Sequence, residues 1–166
     1  AAYTYRTYNT RYKTDGTLFS ENTKETLDII YYAFATVSSD ATVALSDSSY
    51  VTRINELKNN NVRVIVSLNG AVTDGQINFY NITRNETLLA AFIKNIANLV
   101  EQYNFDGVDI DWEYNSNYPT EKAYYTKLVK GLYNELSSRQ DAGGTPYMLT
   151  AAIPGTSWGT SSDRYD

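Results

Sequence analysis

Short segments rich in β-branched and aromatic residues alternate along the chain with longer segments of helical periodicity. The short segments predict strands over residues 29–35, 62–68, 105–112 and 147–153. Tyrosines that alternate with polar residues predict a first strand over residues 3–8. Residues 29–35 form a near-continuous apolar run, which is typical of a strand covered on both faces.

The segments between the predicted strands repeat apolar residues at intervals of three and four. The clearest stripe covers residues 88–103, and shorter ones predict helices over residues 50–57 and 125–136. This alternation of strands and helices predicts an α/β fold built from parallel β/α units. It fits a doubly wound sheet or part of a (β/α)8 barrel, and periodicity alone does not choose between them.

The composition limits the chemistry that the chain can perform. It has 166 residues, enough for one domain, and 14 basic against 19 acidic residues give a net charge of −5. That charge argues against nucleic acid as a partner, and no apolar run approaches the roughly 18 residues that span a membrane. Cysteine and histidine are absent, which excludes catalysis and metal sites that depend on them. We expect neither a metal nor a cofactor.

The fourth predicted strand carries three acids on one face. Asp109, Asp111 and Glu113 stand at alternate positions, and the apolar residues between them point to the other face. Alternate residues lie roughly 7 Å apart, so we expect at least one of these carboxyls to have a raised pKa. A carboxylic acid of raised pKa at the carboxyl end of a parallel strand is suited to general acid catalysis.

Two other interpretations of the acidic strand fit less well. A calcium-binding loop that starts at Asp109 requires Gly at position 114 and Glu at position 120, where the chain has Tyr114 and Thr120. A solvated edge strand would also tolerate one acidic face. The helical segments predicted on either side favour a buried central strand instead, so the acids are interpreted as a functional site.

The segment at residues 105–114 resembles the Asp-x-x-Asp-x-Asp-x-Glu signature of glycoside hydrolase family 18, the chitinase family. The signature is complete in this sequence, at Asp106, Asp109, Asp111 and Glu113. Residues 32–35, 67–70 and 149–154 resemble the second, third and fifth strands of that family, in the same order. Asn69 replaces the first glycine of the family's Ser-x-Gly-Gly motif.

The resemblance implies a (β/α)8 TIM-barrel-type fold and retaining hydrolysis of β-1,4-linked N-acetylglucosamine in chitin or chitooligosaccharides. It implies that Glu113 is the general acid/base and that the nucleophile is the acetamido oxygen of the substrate. Asp111 would orient the acetamido group and stabilise the charge that develops on it. Asp109 would lie behind Asp111 and share a proton with it, within hydrogen-bonding distance of Ser67.

The resemblance also suggests residues that bind the substrate around the acids. These are Ser67, Phe34, Tyr5, Gly70 and Tyr114. Phe34 is expected either under the reacting sugar or in the barrel core. Tyr5, or Tyr3 on the same face of the first strand, matches a family tyrosine near the acids, and Tyr114 is expected at the edge of the cleft.

The chain is short for the implied fold. A (β/α)8 barrel takes about 250 residues, so residues 1–166 are expected to form only about the first five β/α units of a catalytic domain. Five strands do not close a barrel, and the first and fifth would have unpaired edges. We expect a longer parent chain, or a second copy or another chain that supplies the missing half.

The Asn-Ile-Thr and Asn-Glu-Thr sequons at Asn81 and Asn85 predict a secreted protein. Thr83 and Glu86 also fit a capping box at the start of the helix over residues 88–103. This predicted cap would compete with a sugar on Asn81, since Thr83 belongs to that sequon.

Three other functions remain open at this point. The first is an endo-β-N-acetylglucosaminidase that acts on N-glycans; the sequence Trp112-Glu113-Tyr114 favours chitin over that substrate. The second is a lectin of the same family that binds chitin without cleaving it, although such lectins usually lose the acid at the position of Glu113. The third is that the isolated chain is inactive because its site is incomplete.

Overall fold

The computed structural model describes residues 25–113, 122–141 and 143–153 in full and residues 2–4 as backbone. Six strands lie in this part of the chain: β1 (Ala2–Thr4), β2 (Ile29–Val37), β3 (Val43–Leu45), β4 (Arg63–Asn69), β5 (Gly107–Asp111) and β6 (Met148–Ala151). The helices are α1 (Val51–Asn55), which continues as the 3-10 helix Glu56–Asn60, then α2 (Thr73–Thr83), α3 (Glu86–Gln102) and α4 (Lys122–Ser137). Of these described helices, none combines the length and the apolarity needed to cross a membrane.

Five of the strands run parallel in the order β1-β2-β4-β5-β6. They correspond to the five strands predicted from the sequence, although only residues 3 and 4 of the first predicted strand belong to β1 and the rest lie outside the described residues. β3 pairs antiparallel with the end of β2. The hydrophobic pattern does not predict β3, because three residues are too few to show alternation.

The two faces of the sheet differ in chemistry because side chains alternate along each strand. One face lies under the helices and is fully buried, with Val64, Val66 and Leu68 from β4 and Val108 and Ile110 from β5. The other face carries Ser67 from β4 and Asp109 and Asp111 from β5. The apolar face therefore provides the core, and the opposite face gathers the polar groups.

An aromatic cluster fixes the end of β5 against the helices. Trp112 has no exposed surface, and its ring lies 5.3 Å from that of Phe79 in α2 and 6.1 Å from that of Tyr125 in α4. Phe79 also meets Phe92 of α3 edge to face. Aromatic pairs of this kind contribute about 1 kcal/mol each beyond burial. The backbone directly before Glu113 is thus held in place.

Helix α3 is capped by Asn85, so the predicted capping box is wrong. The Asn85 Oδ1 atom accepts hydrogen bonds from the backbone N–H groups of Thr87 and Leu88, at 3.0 and 3.1 Å. Thr83 instead ends α2, and its hydroxyl donates to the Phe79 carbonyl at 2.8 Å. The hydrophobic pattern misses α2 because two of its buried positions are polar, Gln76 and Thr83.

Candidate active site

Strand β5 places Asp109 and Asp111 on the polar face of the sheet. Asp109 lies beside Ser67 of β4 and beside Thr150 of β6 in the strand register. Asp109 is only 2% exposed. Glu113 follows two residues after the end of β5 and is exposed to solvent. The three acids therefore run from a buried position inside the sheet to an open position at its carboxyl edge.

The Asp109 carboxylate is held by one hydroxyl from each neighbouring strand. Ser67 Oγ donates to Asp109 Oδ2 at 2.8 Å, and Thr150 Oγ1 donates to Asp109 Oδ1 at 2.7 Å. The contact with Ser67 is the one that the family resemblance implies. Sequence analysis missed Thr150; the available signal was its central position in the strand predicted over residues 147–153. Together the two hydroxyls fix the orientation of a buried carboxylate, which would be costly to bury without them.

The environment of Asp111 perturbs its acidity. Burial, with the added repulsion of Glu113 and Asp109, raises its pKa from 3.8 to about 6. The prediction that at least one acid on this face has a raised pKa is confirmed. Asp111 therefore exchanges a proton within the range of mildly acidic solution.

Gly70 packs against the backbone at the end of β5. Its N–H donates to the Asp111 carbonyl at 2.9 Å. A Cβ atom at this position would lie 2.7 Å from that carbonyl oxygen and 2.8 Å from the Trp112 Cα atom. Glycine is required here because the two backbones approach so closely. Gly70 therefore supports the end of the strand that carries the acids.

Phe34 lies on β2, the neighbour of β4, between the residues that pair with Ser67 and Leu68. It is half-buried and occupies the register shift between Ala33 and Ala35, and the Ala33–Phe34 peptide is cis. Its carbonyl accepts the N–H of Ser46 at 2.9 Å. Tyr5 and Tyr114, the other two predicted substrate-binding residues, lie outside the described residues.

Asp106, the first acid of the motif, lies at the opposite end of β5 from Glu113. Its Oδ1 atom is 2.8 Å from Lys58 Nζ, and its Oδ2 atom accepts the Val64 N–H at 2.7 Å. Asp106 therefore joins the start of β5 to β4 and to the segment before it. In a parallel β/α sheet this end serves stability rather than chemistry.

Comparison with known proteins agrees with this arrangement. Residues 2–166 match the sequence profile described as "Glycosyl hydrolases family 18". Chitinase A1 of Niallia circulans is 30% identical over 112 residues, which cover 61% of this chain and 16% of that protein.

Two chitinase structures share the fold. A chitinase from Rhizomucor miehei superposes with a TM-score of 0.68 at 26% identity, over 86% of this chain and 45% of that chain. A family 18 chitinase from Cycas revoluta, solved in complex with (GlcNAc)3, superposes with a TM-score of 0.64 at 25% identity, over 76% of this chain and 39% of that chain. These neighbours imply a TIM-barrel-type fold, and this chain spans less than half of each of them. Because the family profile matches almost every residue, the chain belongs to glycosyl hydrolase family 18.

Proposed function

We propose that this chain carries the acid-bearing side of a site that hydrolyses β-1,4-linked N-acetylglucosamine polymers. The observation behind the proposal is that the three acids along β5 and just beyond its end lie in different surroundings. Asp109 is fixed by two hydroxyls, Asp111 has a pKa of about 6, and Glu113 is exposed at the carboxyl edge of the sheet. In barrel-type enzymes this edge is where substrates bind.

Glu113 is the general acid in the proposed reaction. Its position beyond the end of β5 lets it reach an oxygen atom of a sugar that lies across the edge of the sheet. It gives its proton to the glycosidic oxygen as the bond from that oxygen to C1 breaks. The acetamido oxygen of the same sugar bonds to C1 and forms an oxazolinium ion. Water then attacks C1 as the bond from C1 to the acetamido oxygen breaks, and it returns a proton to Glu113, so the configuration is retained.

Asp111 and Asp109 support the acetamido group. Asp111 lies between Asp109 and Glu113 along the strand, where it can accept the acetamido N–H and stabilise the positive charge on the oxazolinium ion. Asp109 accepts one hydroxyl on each carboxylate oxygen, and in the proposed reaction it shares a proton with Asp111. The two hydroxyls thus keep Asp109 in a fixed orientation behind the reacting groups.

Chitin and chitooligosaccharides are the substrates that the comparisons support. The relatives that match include chitinases, and the Cycas revoluta enzyme was solved with (GlcNAc)3 bound. Hydrolysis of chitooligosaccharide but not of a high-mannose glycopeptide, measured side by side, would support this choice. The reverse preference would assign the chain to N-glycan cores instead.

Replacement of Glu113 tests the proposed mechanism. Glu113→Gln keeps the size and polarity of the side chain but removes the proton, so we expect turnover of chitooligosaccharide to fall at least about 1,000-fold while binding is largely retained. Glu56→Gln, on an exposed residue of the 3-10 helix, is the matched control and should act like the parent. Near-parent turnover by Glu113→Gln would refute the role of Glu113.

We also propose an extracellular location, on the basis of the two sequons. Asn81 and Asn85 are both exposed, so a glycan on either residue would point into solvent. The cap of α3 uses only the Oδ1 atom of Asn85, and a glycan is attached to Nδ2, so the cap and the modification are compatible. A loss of mass on treatment with an N-glycosidase, after expression through a eukaryotic secretory pathway, would support modification of these sites.

A further inference from the structure

Asn69 lies directly beside Asp111, at the end of β4. It is the register partner of Asp111, and Ser67 two residues earlier is the partner of Asp109. Because Ser67 bonds to Asp109, the shared face of these strands is the polar one, and Asn69 belongs to the same face. Neighbouring strands lie about 4.8 Å apart, so the side chains of Asn69 and Asp111 are close enough to contact the same ligand.

The backbone of Asn69 is held while its carboxamide has no partner in the described part of the chain. A Cβ atom on Gly75, in the first turn of α2, would lie 2.3 Å from the Asn69 carbonyl oxygen, which shows how closely that turn packs on the strand end. The Asn69 side chain is half-buried, and none of the described residues hydrogen-bonds to its Oδ1 or Nδ2 atoms. A side chain whose backbone is held in place and whose polar group makes no hydrogen bond within the described structure is suited to contact a ligand.

We propose that Asn69 hydrogen-bonds the N-acetylated sugar that Asp111 contacts and thereby helps to select it. This inference rests on the proposed function. A carboxamide offers two N–H donors and one carbonyl acceptor, which match the acceptor and donor of an acetamido group or a sugar hydroxyl. Because it is neutral, it adds no attraction for the ammonium group of a deacetylated sugar, which a carboxylate in the same place would attract.

Binding of a chitooligosaccharide of five units tests the contact with the sugar. The parent for the measurement carries Glu113→Gln, so that the ligand stays intact during titration calorimetry. Asn69→Ala in this background should bind about tenfold more weakly, the effect of one lost hydrogen bond. Asn134→Ala removes an exposed carboxamide from α4 and is the matched control, with unchanged affinity. In the active protein, Asn69→Ala should raise KM more than it lowers kcat.

A second variant tests the placement of Asn69 without any ligand. Asn69→Asp keeps the shape but puts another carboxylate beside Asp111, so it should raise the pKa of Asp111 from about 6 by about one unit, as followed by carboxyl ¹³C NMR. The same variant should bind a partly deacetylated oligosaccharide more tightly, relative to the fully acetylated one, than the parent does.

The outcomes separate this inference from the proposed function. If the parent binds the oligosaccharide and Asn69→Ala binds it equally well, the role of Asn69 is overturned and the proposed function stands. If Asn69→Asp leaves the pKa of Asp111 unchanged, the side chains do not face each other, and the role is again overturned. If the parent itself neither binds nor cleaves the oligosaccharide, the proposed function and this inference both fail.

Discussion

At the scale of single residues, the site depends on two neighbouring aspartates in different surroundings. Asp109 has a hydroxyl donor on each oxygen, from Ser67 and Thr150. Asp111 is buried as well, and burial, with the added repulsion of Glu113 and Asp109, raises its pKa. Hydroxyl donors fix the orientation of the Asp109 carboxyl, whereas burial and like charges disfavour the ionised form of the Asp111 carboxyl. The same residue type thus serves as a fixed support at one position and as a proton-exchanging group two residues later.

The raised pKa of Asp111 makes ionisation of this residue costly to the fold. Its pKa is about 6 in the folded state and 3.8 in the reference state, so the folded protein holds an extra proton between these values. The contribution of protonated Asp111 to the free energy of unfolding is complete below about pH 4 and is lost as the pH rises through 6. Asp111→Asn removes this loss, so at pH 7 we expect the variant to gain up to about 3 kcal/mol relative to the parent.

Urea unfolding of parent and variant at pH 4 and pH 7 measures that gain. The difference between the two proteins, rather than either stability alone, isolates Asp111 from the other titrating groups. Asp28→Asn controls for the loss of one negative charge at an exposed position. A parent-to-variant difference for Asp111→Asn that is the same at both pH values would contradict the prediction.

Thr150 is expected to affect both stability and turnover through its hydroxyl. Thr150→Val keeps the shape but leaves Asp109 Oδ1 without its donor, so we expect a loss of about 2 kcal/mol in the free energy of unfolding and a fall in kcat. Thr150→Ser retains the donor and should restore most of both. If the serine and valine variants behaved alike, the hydroxyl would have no part in holding Asp109.

At the scale of the element, β5 joins the core to the site, and part of this could be predicted from its sequence. Alternation is local, so the sequence predicts which face carries the acids and which carries Val108 and Ile110. The partner Thr150 could not be predicted, because it lies 41 residues from Asp109 and meets it only through strand register. The hydrophobic pattern does not predict helix α2 for a different reason, because tertiary packing buries its polar residue Gln76. Local sequence patterns therefore predict which face of a strand a residue occupies. The pairing of strands that are distant in sequence decides which side chains that residue contacts.

The start of β5 tolerates no side chain at Gly107. A Cβ atom there would lie 2.1 Å from the Met148 carbonyl oxygen of β6. We therefore expect Gly107→Ala to push β5 and β6 apart and to lower the free energy of unfolding by at least about 2 kcal/mol. Gly143→Ala is the matched control, because a Cβ atom there meets only the side chain of Asp141, at 3.3 Å. Equal stability of the two variants in urea unfolding would show that the strands have room to separate.

At the scale of the whole molecule, a groove crosses the apolar face between α4 and β6. Its lining includes Val129, Leu149 and two large side chains, Tyr133 and Ile153, that are each 63% exposed. The solved chitinases that share this fold are more than twice as long as the matched region. The expectation that a further part of a barrel, from the same or another chain, completes the structure stays a prediction.

The hydroxyls that hold Asp109 come from the two strands on either side of β5, and this has a consequence for how the site can be lost. Among the described strands, β6 pairs with β5 alone, along four residue pairs. Segments with few buried contacts open locally at a lower free-energy cost than the whole fold. A local opening of β6 would withdraw Thr150 from Asp109 and leave Ser67 in place. A substitution that loosens the pairing of β5 with β6 would therefore free one oxygen of Asp109 from its hydroxyl donor in a protein that is still folded.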